Sequence, residues 1–182
     1  AKSPDLNLKV VVTFMENGFS CKEQVSWEKT KYQKIREIKH FSRVCEPIFI
    51  FIKSSAIKKS KNGKKIEFIF KTNLQRDHNE SNIWKIVNTK VNDKIKKQLS
   101  KINPKFAKLQ SVAFPVELPK KCIELFTTEG DIVCAPFAGL STTGVACIET
   151  NRKFIGFEYY FEPYEAAIAR LNLELKQKRL LF

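Results

Sequence analysis

Acidic side chains are scarce in this sequence. Asp and Glu number 19 against 33 Lys and Arg, which leaves a formal net charge of +14 and a sequence pI of about 9.6. Such an excess favours a polyanionic partner, most simply nucleic acid, although a lysine-rich solvated surface gives the same count. Long apolar runs are missing too, so no stretch is built to span a bilayer, and no signal peptide is visible. There is no CxxC pair among the five cysteines, Cys21, Cys45, Cys122, Cys134 and Cys147, which argues against a zinc site. Their odd number and wide spacing read as buried free thiols in a reducing cytoplasm. Only two histidines occur, His40 and His78, and neither has neighbours that suggest a triad. What is present suffices for one domain, or a large part of one, with a real core: 182 residues, 43% of them hydrophobic.

The most informative stretch is Asp131 to Glu158, DIVCAPFAGLSTTGVACIETNRKFIGFE. Ile132 to Cys134 has the length of a buried strand. Pro136 and Gly139 punctuate a turn, and Ser141, Thr142 and Thr143 offer hydroxyls where a helix should start. Thr142 to Glu149 reads as a small-residue helix suited to lying close on a sheet. Asn151 to Lys153 turn the chain, and Phe154 to Phe157 form a second strand ending at Glu158. A strand, a glycine turn, a helix and a strand closed by a carboxylate is how doubly wound folds hold an adenosine-type ligand. Helix-start amides face the ligand, and the acid takes the ribose hydroxyls. Any βαβ unit would share part of this pattern.

The letters narrow it. APFAGLSTTGVAC followed by NRKFIGFE resembles the D-P-F-x-G-S-G-T-T-G cofactor loop and G-x-E strand of amino-group DNA methyltransferases. The resemblance implies S-adenosylmethionine as cofactor and methyl transfer to adenine N6 or cytosine N4 of double-stranded DNA. It places Phe114, Pro115, Ala135, Pro136, Phe137, Gly139, Ser141, Thr142, Thr143 and Glu158 around the cofactor. It also implies a bacterial, nucleoid-associated protein.

Upstream, Leu6 to Gly18 has helical spacing with Asn17-Gly18 as its stop. Phe19 to Lys29 alternates as a half-exposed strand around Val25 and Trp27, and Glu46 to Ile52 is a dense apolar strand. FMENGF, VSWEKTK and FSRVCEPIFIFIKS are similar to the same family, whose loop after the first of these strands faces DNA; Lys29 and Lys31 stand there. Ile57 to Lys71 carries Lys58, Lys59, Lys61, Lys64 and Lys65 around Asn62-Gly63, a hairpin signal whose tip could track phosphates. NIWK at Asn82 to Lys85 resembles the short segment that precedes the cofactor half. Val91 to Lys108 reads as a lysine-rich surface helix ended by Pro104, with Ile95, Leu99 and Ile102 at helical spacing. Ala113 to Thr127 reads as a helix with Pro119 in its first turn. Phe161 to Phe182 reads as a long amphipathic helix with Tyr164, Ala167, Ile168 and Leu171 on one face. Its Glu162, Pro163, Tyr164, Arg170 and Leu171 match the family's terminal helix.

The expected fold is therefore α/β: an incomplete Rossmann-like methyltransferase sheet with a basic insert. Residues 1–54 supply a helix and two strands of the core, 55–109 the insert, and 110–182 the cofactor half. Three departures stand out. Ala135 replaces the loop's Asp, Leu140 and Ser141 replace its Ser-Gly pair, and no Pro-Pro dipeptide occurs anywhere. The last removes the (D/N/S)-P-P-(Y/F/W) segment that holds the flipped base in the family. The resemblance thus implies the C-terminal portion of such an enzyme, inactive alone; either a second chain or an upstream portion supplies the missing strands, or the pieces pair differently here. The alternative expectation is a non-catalytic DNA-binding subunit that keeps the scaffold.

Overall fold

The computed structural model describes residues 5–29, 45–56, 82–87, 91–109 and 113–180. They fall into two compact units, which divide at the end of the third strand.

The first unit begins with α1, Asp5–Glu16. It stops where Asn17 and Gly18 stand. The Asn17 backbone and side-chain amides both donate to the Thr13 carbonyl, at 3.1 and 2.8 Å, and Gly18 takes φ 83°. Glycine enters that left-handed geometry without steric cost, so the helix ends there. Strand β1, Phe19–Lys29, then pairs antiparallel with β2, Cys45–Lys53, through a bulge between Cys21 and Glu23. A third strand, β3, Ile83–Ile86, lies on the other edge of β1. It holds Ile83, Trp84 and Lys85 of the NIWK segment, which is too short a pattern to mark a strand. Val25, Trp27 and Trp84 are buried. Phe14 of α1 stacks on Phe51 of β2 with ring centroids 4.6 Å apart, which ties helix to sheet.

In the second unit, α2 (Val91–Ser100) leads through a 3₁₀ turn (Pro104–Lys108) to α3 (Glu117–Phe126). Strand β4 (Ile132–Ala135), helix α4 (Thr142–Glu149) and strand β5 (Lys153–Gly156) follow, and α5 (Phe161–Arg179) closes the described chain. The two strands run parallel, with α4 as the crossover. Small residues explain how closely α4 lies: Ala146 and Cys147 have no exposed surface. They pack with Ile123 of α3, against Val133 and Phe154 of the strands. A second cluster joins Ile95, Leu99 and Phe106 to Ala113, Leu140 and Ala166. Arg152 fastens the turn before β5 to the end of α3, donating to the Thr127 hydroxyl at 3.1 Å and the Thr127 carbonyl at 2.9 Å.

Several expectations need correcting. The helix over residues 91–108 ends at Ser100, short of Pro104. The Asn103 side chain accepts from the Lys105 amide at 3.0 Å, an alternative that competes with continuing the helix. It is also not a surface element: Ile95 and Leu99 are buried, while Ile102 is exposed. Residues 91–109, expected within the basic insert, therefore share a core with the cofactor half. On α5 the buried residues are Ala166, Ala167 and Arg170, whereas Tyr164 and Ile168 are exposed. Ala166 and Ala167 bring the helix close, while Tyr164 and Ile168 take the outer face. Nor are the cysteines generally buried. Cys21, Cys45 and Cys134 are exposed, and Cys147 alone of the five is fully buried. Burial pushes the Cys147 and Cys122 thiols up to about 11, which leaves both protonated and unreactive near neutral pH. Lys29 ends β1, while Lys31, Lys58, Lys59, Lys61, Lys64, Lys65 and the expected hairpin lie outside the described residues. Among the described residues no helix is long and apolar enough to cross a membrane.

Candidate functional site

The site is built where β4 and β5 end. In a parallel pair both chains leave the sheet at the same edge, so the loops after them run side by side. The Phe157 amide donates to the Ala135 carbonyl at 2.9 Å, and the Ala138 amide returns a bond to the Phe157 carbonyl at 2.8 Å. The chain then bends at Gly139, φ 54°, and Ser141, φ 55°, before α4 starts. Glu158 closes the arrangement. One of its carboxylate oxygens accepts from the Gly139 amide at 2.8 Å, and the other accepts from the Tyr160 amide at 3.1 Å. A single acidic side chain thus bridges the loop after β4 and the segment after β5. Bonds from amides to an ionised acceptor are stronger than neutral ones, so the bridge holds the two loops in register.

The expected residues distribute unevenly around this bridge. Pro136 and Phe137 are exposed at the loop's outer turn, Phe137 almost completely at 92%. Ala135, Gly139, Thr143 and Glu158 are half-buried at its floor. Ser141 and Thr142 lie beneath the surface at the start of α4. Pro115 is fully buried next to an exposed Phe114. The αL bend at Ser141 falls on the position where the family's loop carries its second glycine. A side chain there stores strain of about 1 kcal/mol. Its hydroxyl is also buried without a partner. Ser141→Gly is therefore expected to raise stability by about 1 kcal/mol, seen as a higher urea midpoint at unchanged slope; a lower midpoint would contradict the strain.

Two further features have no role assigned from the sequence, although Arg170 stands among the matches to the family's terminal helix. Tyr159, Tyr160 and Phe161 follow Glu158 and are exposed, with Tyr159 edge-on to Tyr160 at 5.3 Å between centroids. Exposed aromatics beside a loop bend suit stacking on a flat ring, and three in a row after a strand-ending acid is the available signal. The other is Arg170. It is 3% exposed and donates from Nη1 to the Leu140 carbonyl at 2.9 Å and the Thr142 hydroxyl at 3.1 Å. Burial lowers its pKa, an effect that Glu174 and Glu149 partly oppose. Its spacing from Ala166 and Ala167 along α5 is the clue that it faces inward.

Chemically, the arrangement offers backbone amides at a helix start, an acidic side chain bonded to the loop before it and exposed aromatic side chains in the flanking segments. That set fits a nucleoside carrying an anionic tail.

Comparison with known proteins points the same way. The family of N6/N4-type DNA methylases matches residues 5–169. The Type II methyltransferase M.HindIII of Haemophilus influenzae is 29% identical over 91% of this chain and 60% of its own length. M2.DpnII of Streptococcus pneumoniae, also a Type II methyltransferase, is 28% identical over 87% of this chain and 54% of its own. This chain therefore spans little more than half the length of these relatives. Among solved structures, the PvuII cytosine-N4-specific DNA methyltransferase has a TM-score of 0.66 at 21% identity. It covers 90% of this chain, which covers 56% of it. The M1.HpyAVI–SAM complex has a TM-score of 0.58 at 24% identity, with 93% and 71% covered. These likenesses show a methyltransferase fold, and with nearly all of the described residues inside the family match, the chain belongs to the N6/N4 DNA methylase family.

Proposed function

We propose that this chain is the cofactor-binding and recognition portion of a DNA methyltransferase that acts on adenine N6 or cytosine N4. The observation that carries this reading is the Glu158 bridge to Gly139, which sets an acid beside a helix-start loop at the ends of parallel strands. S-adenosylmethionine fits the groups present. Nothing lies within 4 Å of where a Gly139 side chain would project, so the backbone there is open to close approach. Gly139, Thr143 and the first amides of α4 would hold the methionine end, and Glu158 the ribose hydroxyls. Phe137 and Phe114 would flank the ligand, while Pro115, Ser141 and Thr142 support the loop from behind. Ala135 and Pro136 contribute backbone. When bound, the cofactor supplies an electrophilic methyl on its sulfonium; this chain's residues bind and orient it. Lys29, Lys31, Lys58, Lys59, Lys61, Lys64 and Lys65 would neutralise DNA phosphates.

In the family, catalysis uses strands that carry a Pro-Pro segment, and among the described residues the free edge of β4 has no pairing strand. Asp131 and Ala135 bond toward β5, so the intervening Ile132 and Cys134 direct their backbone groups to the opposite edge. On the sheet face away from α4, Ile132, Cys134 and Ile155 are exposed. Among the described residues this is a two-stranded sheet with one bare apolar face and an open edge, a poor end state. A polypeptide carrying the catalytic strands would pair along β4 and cover both.

Calorimetry with S-adenosylmethionine tests the reading. Binding is expected, with no methyl transfer to duplex DNA by this chain alone and transfer on addition of a polypeptide bearing the D-P-P-Y-type strand. Transfer by the chain alone would contradict the incompleteness. No cofactor binding, with salt-dependent DNA binding retained, would select a non-catalytic DNA-binding subunit.

A further inference from the structure

Arg170 is a costly residue to place where it stands. It is 3% exposed, and its Nε is buried without a hydrogen-bond partner. Its Nη1 meets two neutral acceptors, the Leu140 carbonyl and the Thr142 hydroxyl. Thr142 is the first residue of α4, so the guanidinium sits behind the positive end of that helix. A cation beside a helix N-terminus is electrostatically wrong for folding alone. An apolar side chain of similar length would fill the space without the desolvation. Ser141 Oγ, next to it, is likewise buried and unpaired. Two orphaned polar atoms and a buried positive charge thus converge behind one helix start. Glu174 and Glu149 offset part of the charge, and an anion bound in front of that helix start would offset it further.

We infer that Arg170 is a positioning residue for the ligand's carboxylate. It fixes Leu140 and Thr142 and adds its charge to the helix end from behind, without touching the ligand. The inference rests on the S-adenosylmethionine reading above and names the part of that ligand which Arg170 serves.

The test compares S-adenosylmethionine with decarboxylated S-adenosylmethionine, which lacks only the carboxylate. Affinities are measured on the full chain by competition calorimetry, so that weak ligands are ranked too. Arg170→Met is expected to weaken S-adenosylmethionine about tenfold while leaving the decarboxylated ligand within about twofold. Arg170→Lys, which keeps the charge, is expected to recover most of the loss. Should Arg170→Met not fold, Arg170→Gln provides the neutral variant. An equal loss for both ligands would overturn the inference, because Arg170 would then only hold the loop. Unchanged affinity for both would overturn it as well. If the parent chain binds neither ligand, the cofactor reading itself fails, an outcome distinct from the other two.

Discussion

Glu158→Ala is expected to lower the affinity for S-adenosylmethionine by about two orders of magnitude. The carboxylate accepts two backbone amides, Gly139 at 2.8 Å and Tyr160 at 3.1 Å. Hydrogen bonds to a charged partner contribute about 1.5–3 kcal/mol each, and both are lost together. The effect on binding has two parts. The bend at Gly139 loses what holds it against the β5 side, and the ribose loses its acceptor. Glu158→Gln separates them. Its single carbonyl oxygen can keep one amide, while its own NH₂ faces the other, so an intermediate loss of about tenfold is expected. The chain should still fold, since neither buried cluster includes Glu158. Calorimetry on the two variants reads the result, and a cofactor affinity indifferent to Glu158→Ala would remove the basis of the proposed pocket.

Gly144→Ala is expected to destabilise the second unit by about 1–3 kcal/mol, and Gly144→Val by more. A side-chain carbon at this position would lie 2.5 Å from Ser141 Oγ. It would also lie 2.9 Å from Leu171 Cδ2 and 2.9 Å from the Phe154 ring. Those three belong to the loop, to α5 and to β5, so relief of the clash pushes α4 away from all of them. The sign is the informative part. In an exposed helix, alanine is better than glycine by about 1 kcal/mol. Urea denaturation would show which effect wins: a raised midpoint for Gly144→Ala would mean that α4 is not packed as closely as described. Because the displaced partners include Ser141, cofactor affinity should fall with stability in this series.

Much of the cofactor half is legible in the order of its residues. The bounds expected for α4, Thr142 to Glu149, are the bounds it has, because a turn with Pro136 and Gly139 precedes it and a run of small residues fills it. Gly18, Gly139 and the alternation of β1 are likewise local signals, written within a few residues of the feature they cause. The family resemblance is legible for the same reason, since loop letters at fixed spacing need no partner to be recognised. The Ser141 departure is visible in the sequence, but its meaning requires φ 55° at that residue.

Relations between distant residues are another matter. The inward face of α5 is set by Ala166, Ala167 and Arg170, because packing against α4 rewards close approach over side-chain size; helical periodicity alone favours Tyr164 and Ile168. The lysine-rich α2 has the composition of a surface helix. It is nevertheless anchored by Ile95 and Leu99 to Leu140 and Ala166, residues that lie far along the chain. Turn chemistry and periodicity, both short-range, are thus enough to specify the βαβ unit, while the family resemblance is carried by the letters of its loops. That Glu158 accepts from Gly139, and that Arg170 lies behind Thr142, follows only from the folded chain, because both contacts depend on where separate loops and helices are brought together.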